Sequence, residues 1–435
     1  MGTIELPELP TGKEFEEYIS AYFQVGGYYI ERNIEEKEVL ELDIIITDYN
    51  KRPPEIILLE VKSGDWGFHD LFKIRGWMDY LNISKSLFIT CKDKTNSDLL
   101  REKAKNLNIY LTVITDLENT KEYLSKFIKS EISEIDISIW RYAYWIERKL
   151  IERLKHKKKS IQHKKCFKAL DDYYSKVNND IFFIENIVQR VDELYSTFMK
   201  YFHISAKTGY ELQGGTFEKE YSTIPQNLFR ETYHECKYTD IQISTFIEHK
   251  ARLAVLKNAI DYKLYKDAGI NCKVDSTLKI PCILGDEFEI LLIYLLPSSF
   301  RRGLEKISTH EYFYRYPIFW QWFMWVFGGF ILNDYEEEEY ILLSQKTGIP
   351  VDEIPRALDS FEILFPVEGG WFINLSNSNI RVMKMFPVPF MGIGANYRRL
   401  IYTESGKYEE LNLTGRHTLN DLIKWNNLTV EVLEG

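Results

Sequence analysis

The segment Ile56-Ile-Leu-Leu-Glu-Val61 limits the fold more than any other in this chain. Its near-continuous apolar character describes a central strand, buried on both faces of a sheet. A strand of that kind requires helices packed on either side. The run then becomes charged, as Glu60-Val61-Lys62-Ser63. Side chains alternate along a strand, so Glu60 and Lys62 share one face and Val61 points to the other. A second strand-like run, Val39 to Thr47, carries Asp43, and the turn Asp48-Tyr-Asn-Lys-Arg-Pro-Pro separates the two. If they pair, Asp43 comes alongside Glu60. Two carboxylates and an ammonium on one face form an oxygen-rich pocket for a hard cation. Such a pocket suits metal-assisted attack of water on a phosphodiester.

The flanking sequence gives this pair a setting. Thr11, with Glu14 three residues on, has the spacing of a capping box. Phe15, Tyr18, Ile19, Tyr22 and Phe23 then recur at helical steps, and Gly26-Gly27 ends the helix. Tyr28 to Ile34 reads as a strand. Asp70 to Leu81 returns to helical spacing through Leu71, Ile74, Trp77, Met78 and Leu81. Ser86 to Thr90 is a further strand, Asp98 to Asn106 a helix, and Ile109 to Thr115 a last strand. The order describes a small mixed sheet with flanking helices over about residues 1–125.

This order and these residues resemble the PD-(D/E)xK superfamily, the restriction-endonuclease-like fold. The resemblance is nearest to Mrr-like restriction endonucleases and archaeal-type Holliday-junction resolvases. It is carried by Gly12-Lys-Glu-Phe15-Glu16, by Gly27-Tyr28, by Leu42-Asp43-Ile44 and by Glu60-Val61-Lys62-Ser63. It implies that Asp43 and Glu60 bind Mg2+ (or Mn2+), with the backbone carbonyl of Val61, and that Glu16 completes the acidic cluster. It also implies that Lys62 orients the attacking water or stabilises charge on the scissile phosphate. The chain departs from some members in the helix after Glu-x-Lys. Those members carry a Gln, or a Gln and a Tyr, where this chain has Lys73, Arg75 and Tyr80, with His69 just before. Lys73 and Arg75 are candidate nucleic-acid contacts.

At 435 residues the chain is too long for one ordinary core, so further domains are expected. Its net charge of −10 excludes a chain that is basic throughout, but not a local basic track. That track is a predicted helix over 147–168 with ten Lys/Arg against two Glu. Lys157, Lys158, Lys159, Lys164 and Lys165 are its candidate phosphate contacts. Residues 126–310 read as a mainly helical accessory region, and 311–435 as a C-terminal α+β region. Within the latter, 335–376 resembles a winged-helix module: a helix over Glu336–Lys346, a second over Val351–Phe361, then a hairpin of Ile363–Val367 and Trp371–Leu375. Its second helix has Asp352, Glu353, Asp359 and Glu362 against Arg356 alone. That charge favours a protein partner over a DNA groove.

The five cysteines form no CxxC pair, which argues against a structural zinc site or a disulfide framework and fits a reducing cytoplasm. Met1 to Pro10 shows no signal pattern. Ile318 to Leu332 is short for a membrane span and reads as a buried aromatic helix. The expectation is therefore an α/β restriction-endonuclease-like domain followed by a mainly α accessory region with a winged-helix-like module. Its expected activity is that of a Mg2+-dependent endonuclease on double-stranded DNA in restriction or anti-phage defence, with no membrane association. A homodimer or a protein partner would engage the C-terminal region. The alternatives are a non-cleaving, nucleic-acid-binding scaffold and an RNA-cleaving nuclease.

Overall fold

Strand β3 (Glu55–Lys62) contains the apolar run, and Ile57, Leu58 and Leu59 are fully buried in it. These come from a computed structural model, which describes residues 10–128, 131–156, 171, 174–184, 186–201, 203–205, 209–211, 235–269, 298–364, 372–374, 380–383, 388–407 and 418–434. The chain divides into two compact units, Met1–Trp145 and Ile146–Gly435.

The first unit is built on a five-stranded mixed sheet whose spatial order is its chain order. β1 (Tyr29–Glu36) and β2 (Leu40–Asp48) pair antiparallel, as do β2 and β3. β4 (Ser86–Thr90) and β5 (Ile109–Val113) continue the sheet in parallel with β3. The parallel steps require crossovers, supplied by α2 (Phe68–Tyr80) and α3 (Ser97–Asn106). α1 (Lys13–Val25) buries Phe15, Ile19, Tyr22 and Phe23, the stripe its spacing predicts. A short α4 (Thr120–Leu124) follows β5.

The start of α1 differs from expectation. Its N-cap is Gly12, with no side-chain cap, so the box of Thr11 and Glu14 does not form. Gly12 sits at φ +55, where a side chain is strained, and its N–H donates to Ser63 Oγ at 2.7 Å. The conformation that excludes an ordinary cap thus ties the first helix to the end of β3.

α5 (Glu134–His156) is less polar than its sequence suggests. Ile137, Ile139, Trp140, Ala143 and Tyr144 are buried, and Tyr144 Oη donates to the buried Gln24 at 3.1 Å. This is why the first unit extends through Trp145.

In the second unit, the expected helix over Ile318–Leu332 is broken. A helix over Tyr316–Gln321 runs into a wider turn at Trp322–Val326, and Phe330–Leu332 is a strand. Gly328 and Gly329, at φ +68 and +72, make the bend. A Cβ on Gly328 would lie 2.5 Å from the Phe390 carbonyl oxygen, so only glycine fits. The strand joins an antiparallel sheet in the order Phe330–Leu332, Ile380–Met383, Phe372–Asn374. Helices Glu336–Thr347 and Ile354–Leu364 lie between its first strand and the other two in the chain. The first expected hairpin strand is therefore not one at Ile363 and Leu364, which end the second helix; its remainder lies outside the described residues. Pro355 is tolerated because it falls in that helix's first turn.

Arg398 and Glu339 are both fully buried in this unit and bonded to each other. Arg398 also donates to the carbonyls of Phe327, Gly394 and Phe330, and Tyr402 donates to Glu339 at 2.7 Å. Among the described residues, no helix is long and apolar enough to cross a membrane.

Candidate active site

The β2–β3 ladder runs from Asp48/Glu55 to Ile44/Leu59. The next step along this register sets Asp43 opposite Glu60. Opposed residues in an antiparallel pair point to the same face, so the two acids share the face that Lys62 also occupies. At this end of the ladder Asp43 Oδ2 accepts the Val61 N–H at 3.0 Å. The backbone of the Glu-x-Lys segment and the first acid are thereby locked together.

The acids are costly where they stand. Burial, reinforced by the charge of Asp43, pushes the Glu60 carboxyl up to about 7, against the pull of Lys73 and Lys62. Burial and Asp43 likewise push Glu16, on α1, up to about 7, against Lys13 and Arg32. Asp43 is raised by its own burial, with the Val61 N–H opposing. Three carboxylates therefore sense one another across α1, β2 and β3 with incomplete positive compensation. Glu16 is paired with Lys13, Oε2 to Nζ at 3.0 Å.

α2 contributes two further charges. Lys62 Nζ donates to Asp70 Oδ1 at 2.8 Å, and Lys73 Nζ lies 3.3 Å from Glu60 Oε1. The cation of the strand is thus met by an acid of the helix, and the acid of the strand by a cation of the helix. Asp70 is itself fixed, since its Oδ2 accepts the Gly67 N–H at 2.8 Å. Its burial would raise it, but Lys62, the Gly67 N–H and His69 together hold it below the ordinary carboxylate value.

The donor set fits a hard divalent cation. Glu60 Oε2 is buried and accepts no hydrogen bond from the described residues. Among the described residues no three His, Cys, Asp or Glu side chains are gathered as a ready ligand set. Asp43 and Glu60 would therefore hold the ion, which suits Mg2+: it retains water and commonly uses one or two carboxylates.

The sequence candidates thus separate. Asp43 and Glu60 oppose each other with Val61 and Lys62 beside them, and Lys73 joins them through Glu60. Glu16 feels the charge of Asp43, but among the described residues it does not complete a three-acid ligand set. Arg75 instead bonds Asp79 and the Leu107 carbonyl, the latter at 3.3 Å. Lys157, Lys158, Lys159, Lys164 and Lys165 lie outside the described residues. Asp70 escaped sequence reasoning because an acid in the first turn of a helix reads as a capping residue. Its signal was its place in the helix directly after Glu-x-Lys. No family model, characterised protein or solved structure matches the chain.

Proposed function

We propose that the first unit is a Mg2+-dependent endonuclease that hydrolyses DNA phosphodiester bonds, in the setting of restriction or anti-phage defence. The observation that carries this reading is the opposition of Asp43 and Glu60 at the end of the β2–β3 ladder, with Lys62 on the same face. When bound there, a divalent cation supplies Lewis-acid polarisation of the phosphate and activation of water. Asp43 and Glu60 would hold that cation, with the Val61 carbonyl as the further ligand that the resemblance implies. Lys62 presents a fixed positive charge where negative charge grows on the phosphate. Burial and Asp43 raise Glu16 to about 7, so near neutral pH part of it is ionised, and that ionised form would accept a proton from the attacking water. Lys73, paired with Glu60 Oε1 at 3.3 Å, would place a second positive charge beside the phosphate.

The second unit supports a partner-selecting role. Its order of strand, helix, helix, strand, strand, with the first strand paired to the last, is compatible with a winged-helix-like arrangement, although Phe330–Leu332 and Ile380–Met383 fall outside the expected bounds of 335–376. The exposed Asp352 and Asp359 on and beside its second helix favour a basic protein surface over DNA.

A second reading, a non-cleaving scaffold, draws on the two ion pairs of α2, which neutralise Glu60 and Lys62 without a metal. A plasmid-nicking assay with Mg2+, run on wild type, Asp43→Ala and Lys62→Ala, separates the two. Metal-dependent nicks from wild type that Asp43→Ala abolishes and Lys62→Ala slows support the nuclease. Intact plasmid with all three, together with intact single-stranded RNA, leaves the scaffold.

A further inference from the structure

We propose that Asp70 is a positioning residue that holds the Lys62 ammonium in place beside the acidic pair, an inference that rests on the nuclease reading of this site. A lysine has a flexible four-carbon stem with many accessible rotamers. An exposed Lys62 would spread its charge over many positions, whereas transition-state stabilisation needs a charge already in place.

Asp70 supplies that constraint. Its side chain is only 5% exposed, against 32% for Lys62. One carboxylate oxygen takes the Lys62 Nζ at 2.8 Å while the other takes the Gly67 N–H at 2.8 Å. The acceptor is therefore anchored to the backbone at the start of α2, and α2 is anchored to the sheet by Leu71, Ile74 and Met78. An ammonium has three donors. One is committed to Asp70, which leaves two to address water and phosphate. His69 Nε2, at 3.5 Å from Asp70 Oδ2, is the remaining charge-bearing group at this carboxylate, and its side chain is 82% exposed.

A helix-capping role alone would explain the Gly67 contact but not the Lys62 contact, and the two make different demands. Asp70→Asn retains an acceptor for the Gly67 N–H and removes the charge that fixes Lys62. Plasmid nicking with Mg2+ is to be measured for wild type, Asp70→Asn, Lys62→Ala and the double variant. The expected result is a kcat lower by about 10- to 100-fold in Asp70→Asn, with KM unchanged. In the Lys62→Ala background the same change adds no further loss, because Asp70 acts through Lys62. Mn2+ affinity by calorimetry stays at the wild-type value, since Asp43 and Glu60 are untouched. An equal loss in both backgrounds, or a wild-type kcat in Asp70→Asn, overturns the proposal.

A second measurement does not depend on turnover. In a proton–nitrogen correlation spectrum of lysine Nζ groups, the ammonium of Lys62 gives a slowly exchanging signal that Asp70→Asn removes. A signal missing from wild type, or unchanged in the variant, overturns the positioning role even without cleavage. A signal that behaves as expected in a wild type that neither cleaves nor binds Mn2+ removes the nuclease reading instead. If Asp70→Asn fails to fold, Asp70→Ser, which also keeps an acceptor for Gly67, carries the same measurements.

Discussion

Glu60 stands under opposing demands: it is buried and faces another acid, and Lys73 and Lys62 compensate it in part. Its value of about 7 in the folded chain lies above its ordinary 4.5, so the native state holds this proton where the unfolded chain has lost it. The contribution to stability is therefore complete below about 4.5 and is lost as pH rises through about 7. Glu16 shifts in the same sense. In metal-free solution the first unit should lose stability on the order of 2 kcal/mol between pH 5 and pH 8. Thermal midpoints across that range check this, and Glu60→Gln should flatten the profile. Mg2+ should raise the midpoint more at pH 8 than at pH 5, because proton and cation compete for the same oxygens. Equal shifts at both pH values would place the ion elsewhere. In the cleavage assay, Asp43→Ala and Glu60→Ala should each abolish Mg2+-dependent nicking while leaving the fold, read by far-ultraviolet dichroism, intact.

At the scale of elements, the site depends on how α1 and β3 are tied. The Gly12 N–H to Ser63 Oγ bond joins the start of one to the residue after the other. Ser63→Ala should cost about 1 kcal/mol in urea unfolding, the net worth of one hydrogen bond. Gly12→Ala should cost about 1–3 kcal/mol, because an alanine must then adopt φ +55 with ψ −129, a conformation that side chains disfavour. No change in either variant would mean that α1 begins differently in solution. This tie also marks the limit of what the sequence discloses. Pattern identified α1, α2, α3 and all five strands of the first sheet to within a residue or two, because the helices each have one clear buried face and β3 and β4 are short apolar runs bounded by turns. The opposition of Asp43 and Glu60 followed from strand alternation. Gly12 could not be told from a residue flanking a Thr11 cap, since its partner is fifty-one residues away. The aromatic run after Tyr316 misled for another reason. Trp320, Phe323 and Phe330 are all fully buried, and a segment apolar on every side has no period to distinguish helix from strand.

At the scale of the whole molecule, the two units carry separate cores, so heat should unfold them in separable transitions. Arg398→Met should lower only the transition of the second unit, by about 3–5 kcal/mol, because it strands Glu339 in a dry interior. Differential scanning calorimetry reads this directly, and a shift in the transition that responds to Mg2+ would contradict it. Replacing Arg398 and Glu339 together by apolar residues of similar volume should recover much of the loss. The Arg398 fork meets one carboxylate and three backbone carbonyls, a set that a lysine with three donors on a single nitrogen cannot match. Drift at either position is therefore blocked unless the other changes in the same step. Divergent relatives should retain the pair or lose it jointly, which makes joint inheritance of positions 339 and 398 a marker of descent for this unit even where the surrounding surface has been rewritten.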